Sequence, residues 1–179
     1  FLKAFAVFFI VSMDVTIKKL STNFPTFQIV FFRCFFGLIP VVFMLLITKS
    51  KLQTSKINIH IIRAIIATLV MFLFFKSISI LPLAEVSSIS FASIMITTIL
   101  AILILKEKVG FKRWSAIFIG FIGVMIVFRP GTSIFSYYSF LPLFAALGLS
   151  FAIILLKYLL KFDKPPTCSF YLHFFIALF

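Results

Sequence analysis

Apolar residues run along this chain in long blocks separated by short polar links. A helix needs about 20 mainly apolar residues to cross a bilayer. On that rule the pattern predicts six complete spans and part of a seventh, at residues 2–20, 24–48, 59–80, 82–105, 111–129, 137–160 and 168 onward. The fold class expected is therefore an all-α polytopic membrane protein. Pro25, Pro82, Pro165 and Pro166 stand at span starts, where proline fits a helix. Pro40 and Pro142 fall inside spans two and six and predict kinks, with Gly37 reinforcing the bend near Pro40.

Residues 81–131 are the most informative stretch, because two spanning runs there are joined by a short basic linker at 106–113. Span four opens with Glu85 and places Ser90, Ser93 and Thr97 at i, i+3 and i+7, extended by Ser87 and Ala101. That spacing puts the hydroxyls on one helical stripe. Such a stripe lines a solute path or lets helices pack closely and bond to each other. In span five Ala116, Gly120 and Gly123 form a small-residue seam suited to a neighbouring helix.

Ionisable groups inside the apolar runs carry the candidate chemistry. Asp14 in span one and Arg33 in span two fall at similar depth. Each costs about 2.5–3.5 kcal/mol at a helix centre, so each needs a partner or water. They read as a charged pair lining an outward-facing part of a cavity, able to bind a zwitterionic or charged solute. The alternative is a salt bridge that only fixes the first two helices. Asp14, as a protonatable carboxylate, also makes H⁺ a candidate coupling ion. Lys76 and Glu85 form a second possible pair at the outer span ends, where both can snorkel. Arg63 reads as a snorkelling anchor and His173 as a midmembrane polar group in span seven.

Composition then excludes whole classes. The 179 residues are 63% hydrophobic and 12% charged, with mean hydropathy +1.27, well away from the roughly 25% charged of soluble domains. The net charge of +13 does not indicate nucleic acid, because the basic residues cluster between apolar runs, where they set orientation. With the N-terminus inside, Lys3, Lys49, Lys51, Lys56, Arg63, Lys106, Lys108, Lys112, Arg113, Lys157, Lys161 and Lys164 are cytoplasmic. Only Lys18, Lys19, Lys76 and Arg129 fall outside, so a cytoplasmic N-terminus is expected. Trp114, Tyr137 and Tyr138 suit the interfacial belts. Cys34 and Cys168 sit in or at the edge of apolar runs, without the neighbours of a disulfide framework or metal site. No phosphate-binding glycine loop, metal-spaced ligand set or separate acid–base pair occurs, so neither an enzyme nor a cofactor is expected. Residue 1 is Phe and residue 179 falls within an apolar run, so the chain reads as part of a longer protein.

An internal echo adds topology. Residues 5–38 loosely parallel 144–178, with Pro25 opposite Pro165 and Arg33 opposite His173. If spans six and seven repeat one and two, the unit is five helices and the second copy inserts upside down. The segments FRCFFGLIP (32–40), LPLAEVSSISFAS (81–93), LKEKVGFKRW (105–114) and GFIGVMIVFRPG (120–131) follow in the order and spacing of one repeat of a known family. In them the chain resembles the drug/metabolite transporter superfamily, specifically its EamA-type ten-helix permeases.

The resemblance implies two inverted five-helix repeats around a central solute cavity, with alternating access and cytoplasmic termini. The first repeat would occupy 1–131, and 132–179 would open a truncated second one. It raises Arg33, Ser90, Ser93 and Thr97 as cavity-lining candidates. Members often carry proline where Ile94 stands and glycine where Lys106 stands. The stretch LPLAEVSSISFAS with KEKVGFKRW and FRPG resembles alphaproteobacterial members commonly assigned to S-adenosylmethionine or riboflavin uptake. The implied function is a permease of a small polar metabolite in a bacterial inner membrane. Export of amino acids, amines or drugs, and a non-transporting membrane scaffold, are the alternatives.

Overall fold

A computed structural model describes residues 2–106, 110–128 and 137–178. Its helices are α1 (Leu2–Leu20), α2 (Thr26–Thr48), α3 (Ile57–Ile80), α4 (Leu83–Ser90), α5 (Ala92–Leu105), α6 (Phe111–Phe128), α7 (Phe140–Leu159) and α8 (Pro165–Leu178), with a 3₁₀ turn at Tyr137–Ser139. All regular structure among the described residues is helical, as expected for this class. Four helical stretches are long and apolar enough to cross a membrane: Thr26–Thr48, Ile57–Ile80, Leu83–Leu105 and Tyr137–Leu159, with a shorter apolar helix at Trp114–Ile126. The basic residues Lys108 and Arg129, and the expected repeat boundary at 131, lie outside the described residues, as do the side chains of Lys3, Lys112 and Arg113.

Two ends of the bundle can be told apart. One carries the 49–56 linker and the α7–α8 turn, and is called here the linker end. The other carries the α1–α2 turn, the α3–α4 junction and the 3₁₀ turn. Cys34, Ala64, Ile78 and Val86 are fully buried in the core, together with Ile17, Val30, Phe75 and Ile176. α3 is the hub, packing against α7 and α8 as well as α2 and α1. α3 comes close to α7 at Gly148, where a Cβ would meet Val70 Cγ2 at 2.5 Å. Gly37 of α2 admits the His173 ring in the same way, its absent Cβ lying 2.8 Å from His173 Cδ2.

The α1–α2 and α7–α8 turns share one hydrogen-bond pattern. Ser21 N–H donates to Ile17 O, Asn23 to Leu20 and Phe24 to Leu20; Leu160 donates to Leu156, Phe162 to Leu159 and Asp163 to Leu159. By these turn bonds Phe24 corresponds to Asp163 and Pro25 to Lys164, one residue from the expected alignment of Pro25 with Pro165.

Span four runs on through Phe91 with helical dihedrals, φ −61° and ψ −21°, but its hydrogen-bond ladder is locally disturbed there, although no proline stands at 94. Hydroxyl back-bonds flank the disturbance. Ser88 Oγ donates to Ala84 O at 2.8 Å, Ser90 Oγ to Val86 O at 2.7 Å and Ser93 Oγ to Ser90 O at 2.7 Å. Back-bonding of this kind competes with the amide ladder and bends helices. The Ile94 N–H accordingly turns to Phe91 O at 3.1 Å. The other departure also finds its physical meaning: Lys106 caps α5 in the left-handed region, with φ 53°. Glycine adopts that conformation without steric cost.

Two expectations need correction. Pro142 lies in the first turn of α7, where amides lack intrahelical partners, so it does not interrupt the helix. Pro40 lies inside α2, as expected. Of the expected seam in α6, only Gly120 has a neighbour, Met95 Sδ at 3.4 Å from its ideal Cβ, while Gly123 faces open space and Ala116 is exposed.

Two substitutions test this packing by thermal unfolding in detergent. Gly148→Val should destabilise by about 1–3 kcal/mol through overpacking against the stiff Val70, with Val70→Ala restoring part of the loss. Lys106→Gly should instead stabilise, by up to about 1 kcal/mol, by relieving the left-handed cap.

Candidate functional site

Arg33 sits on α2 in a setting of soft groups. Its Nε donates to Met13 Sδ at 3.4 Å and its Nη1 to Met71 Sδ at 3.2 Å, and the guanidinium lies 5.7 Å from the Phe75 ring centroid. Thioether sulfur is a weak acceptor and the ring face a modest electrostatic partner. The cation is thus oriented by groups that carry no charge, and no carboxylate touches it. Asp14 is 8% exposed and its Oδ1 is buried without a hydrogen-bond partner. The expected Asp14–Arg33 contact does not form. Met13 and Asp14 are adjacent and so point about 100° apart on α1, and Met13 takes the position facing Arg33.

Beside Arg33, α1 and α2 border an open groove of about 500 Å³, lined among others by Met13, Thr16, Phe24, Gln28, Phe32 and Phe36. A second groove of about 430 Å³ lies between α2, α3 and α8, lined among others by Phe31, Thr68 and Phe72. Gln28 borders both. Arg33 is the one charged residue lining either of these two grooves. Asp14 and the hydroxyls of span four line neither of them.

Those hydroxyls are occupied locally. Ser90 and Ser93 bond to their own helix, as described above, and the Ser93 carbonyl accepts Ser150 Oγ from α7 at 2.9 Å. Ser93 therefore belongs to an interhelical contact, while Thr97 keeps a buried hydroxyl with no partner. The expected Lys76–Glu85 pair is also absent. Glu85 Oε1 instead accepts from Ser139 Oγ at 2.6 Å, and Lys76 is exposed. At the same end Lys18 Nζ donates to Leu81 O at 2.9 Å. His173 bonds its own helix through Nδ1 and Ser169 O at 2.9 Å.

A cluster at the linker end escaped the sequence reading. Asp163 Oδ2 lies 3.0 Å from His60 Nε2 and accepts Thr54 Oγ1 at 2.7 Å. Arg63 does not snorkel: it is 7% exposed and donates from Nη1 to Cys168 O at 3.1 Å. Thr167 Oγ1 donates to Lys51 O at 2.9 Å, Tyr171 OH to Leu52 O, and Lys56 lies over the Phe162 ring. The one available signal was His60 and Arg63 at i and i+3 on a single helical face. Among the described residues no group of three His, Cys, Asp or Glu side chains could hold a metal ion.

Comparison with known proteins agrees with this architecture. Residues 1–129 match the EamA-like transporter family. The chain is 33% identical over 124 residues to an S-adenosylmethionine uptake transporter of Rickettsia prowazekii, covering 69% of this chain and 42% of that protein. It is 29% identical over 152 residues to a riboflavin transporter of Brucella anthropi, covering 84% and 54% respectively. Similarity extends at 24% over 141 residues to a pseudopaline exporter of Pseudomonas aeruginosa, with 79% of this chain and 48% of that protein covered. The chain thus spans about half the length, or less, of these relatives. No solved structure matches it.

A cation without a carboxylate contact in an apolar bundle costs stability that a functional site tolerates. Arg33→Met keeps the stem and removes the charge, so it should raise the melting temperature in detergent by about 2–4 °C. A fall of similar size would make Arg33 a structural element.

Proposed function

The chain belongs to the EamA-like transporter family, and from that premise we propose that it is part of a secondary transporter moving a small polar metabolite across a bacterial inner membrane by alternating access. The linker end is cytoplasmic in this reading, which the excess of Lys and Arg on that side supports. The observation that carries the proposal is Arg33, a cation beside an apolar groove that makes no direct ion-pair contact with a carboxylate. A solute bearing a carboxylate or another anionic group supplies what the site lacks. The same observation weighs against a membrane scaffold, for which a dry Asp14–Arg33 contact was the expectation.

Among the relatives' named cargoes, S-adenosylmethionine carries a carboxylate and cationic groups, whereas riboflavin carries no full charge at neutral pH. The site favours a solute of the first kind. Asp14, with its unpartnered buried oxygen, is the candidate for the solute's positive group or for a coupling H⁺. Ser90, Ser93 and Thr97 remain candidates to line a path in other states of the cycle, Thr97 foremost because its hydroxyl is free of partners. Export of such a solute is the second reading, supported by the similarity to a named exporter.

Uptake of a labelled metabolite panel by cells expressing the full-length gene tests this. Arg33→Ala should reduce uptake of the responding solute by on the order of a hundredfold with abundance near wild type. Arg33→Lys should retain part of it, since a point charge replaces the planar fork. Wild-type uptake by Arg33→Ala would reduce Arg33 to a spectator.

A further inference from the structure

The two matching turns differ at a chemically decisive position. Phe24 in the α1–α2 turn corresponds to Asp163 in the α7–α8 turn, by the shared amide bonds to Leu20 and Leu159. A phenyl group stands at one end of the bundle and a carboxylate at the other. The carboxylate is nearly buried, its side chain 7% exposed, and it faces a fully buried His60 ring.

We propose that His60, Thr54 and Asp163 form the latch of a gate at the linker end, holding that end closed and parting when a solute path opens there. The proposal rests on the transporter reading above. It is carried by the set of bonds that joins the first six helices to the last two at the linker end. Among the described residues these include Thr54–Asp163, His60–Asp163, Arg63–Cys168, Thr167–Lys51, Tyr171–Leu52 and Lys56–Phe162. All of them join residues 51–63 to residues 162–171. At the opposite end Glu85–Ser139 crosses between the same two groups, whereas Lys18–Leu81 stays within the first. Moving the α7–α8 hairpin away from α3 at the linker end must break the whole set.

Chemistry suits the set to opening and closing. A buried carboxylate separated from its partners is costly unless water reaches it. The latch is therefore whole when dry and stably broken only when wet, which are the two states a gate requires. The cluster is also incompletely satisfied, because His60 Nδ1 and Arg63 Nε are buried without partners. Water entering on opening would satisfy both, lowering the cost of parting.

Cys168 is a built-in reporter, being fully buried with its Sγ 4.0 Å from Asp163 O. Cys34, fully buried on α2, is the internal control. In inside-out vesicles carrying the full-length protein, a membrane-impermeant maleimide should label Cys168 slowly. Asp163→Ala and His60→Ala should each raise that rate on the order of tenfold, with Cys34 unchanged. An unchanged Cys168 rate overturns the latch, and so does an equal rise at Cys34, which would report general loosening. A second arm places Thr54→Cys and Asp163→Cys on a Cys34→Ser, Cys168→Ser background. Bridging the pair with a short reducible thiol crosslinker should stop uptake, and dithiothreitol should restore it; uptake undiminished by the bridge also overturns the proposal. Failure of the unsubstituted full-length protein to take up any solute counts against the transporter reading alone, and the labelling result still decides the latch.

Discussion

A guanidinium inside an apolar bundle has to be faced by something, and Arg33 is faced by two thioethers and a phenyl ring. None of these can neutralise it. Met13, Met71 and Phe75 come from α1 and α3, so the guanidinium on α2 is fixed by its helical neighbours on both sides. The same packing that orients the charge leaves an open groove of about 500 Å³ beside it. Paired with Asp14, Arg33 would be a structural staple; kept apart from it, each charge remains available to a third party.

That separation depends on how tightly the rest of the bundle is built. α3 runs through the centre, and its Val70 meets α7 where Gly148 has no side chain. Gly37 receives the His173 ring from α8 in the same manner. Ser150 adds a buried hydrogen bond from α7 to the Ser93 carbonyl. Close backbone approach and bonds to carbonyls are the means of helix association in lipid, where apolar surface gives no preference for a neighbouring helix over lipid tails. Large phenylalanines on α1, among them Phe5, Phe8 and Phe9, remain exposed, which an apolar environment accommodates.

Much of this was legible in the sequence because it is local. Runs of apolar residues mark the helices, and the excess of serine in span four marks a helix under competition from its own hydroxyls. The disturbed hydrogen-bond ladder at Phe91 lies among those back-bonds. Lys106 shows the same logic, since a left-handed cap explains why glycine is common there among the resembling permeases. What escaped is what depends on partners far along the chain. His60 and Asp163 are separated by more than half the sequence, and neither looks unusual in its own segment. Glu85 met Ser139 rather than Lys76 for a similar reason: a buried hydroxyl presented by the 3₁₀ turn was nearer than an exposed ammonium. Asp14 and Arg33 share a depth, but depth does not fix azimuth, and Met13 occupies the facing position.

The central claim is that Arg33 is a cation waiting for a solute's negative charge. It is tested most directly by equilibrium binding to the purified full-length protein, comparing a responding carboxylate solute with its methyl ester. The account predicts that wild type prefers the acid by roughly 10–100-fold, the range expected of hydrogen bonds to a charged group, and that Arg33→Met binds acid and ester alike. Equal binding of acid and ester by wild type, or a preference that survives in Arg33→Met, would contradict it.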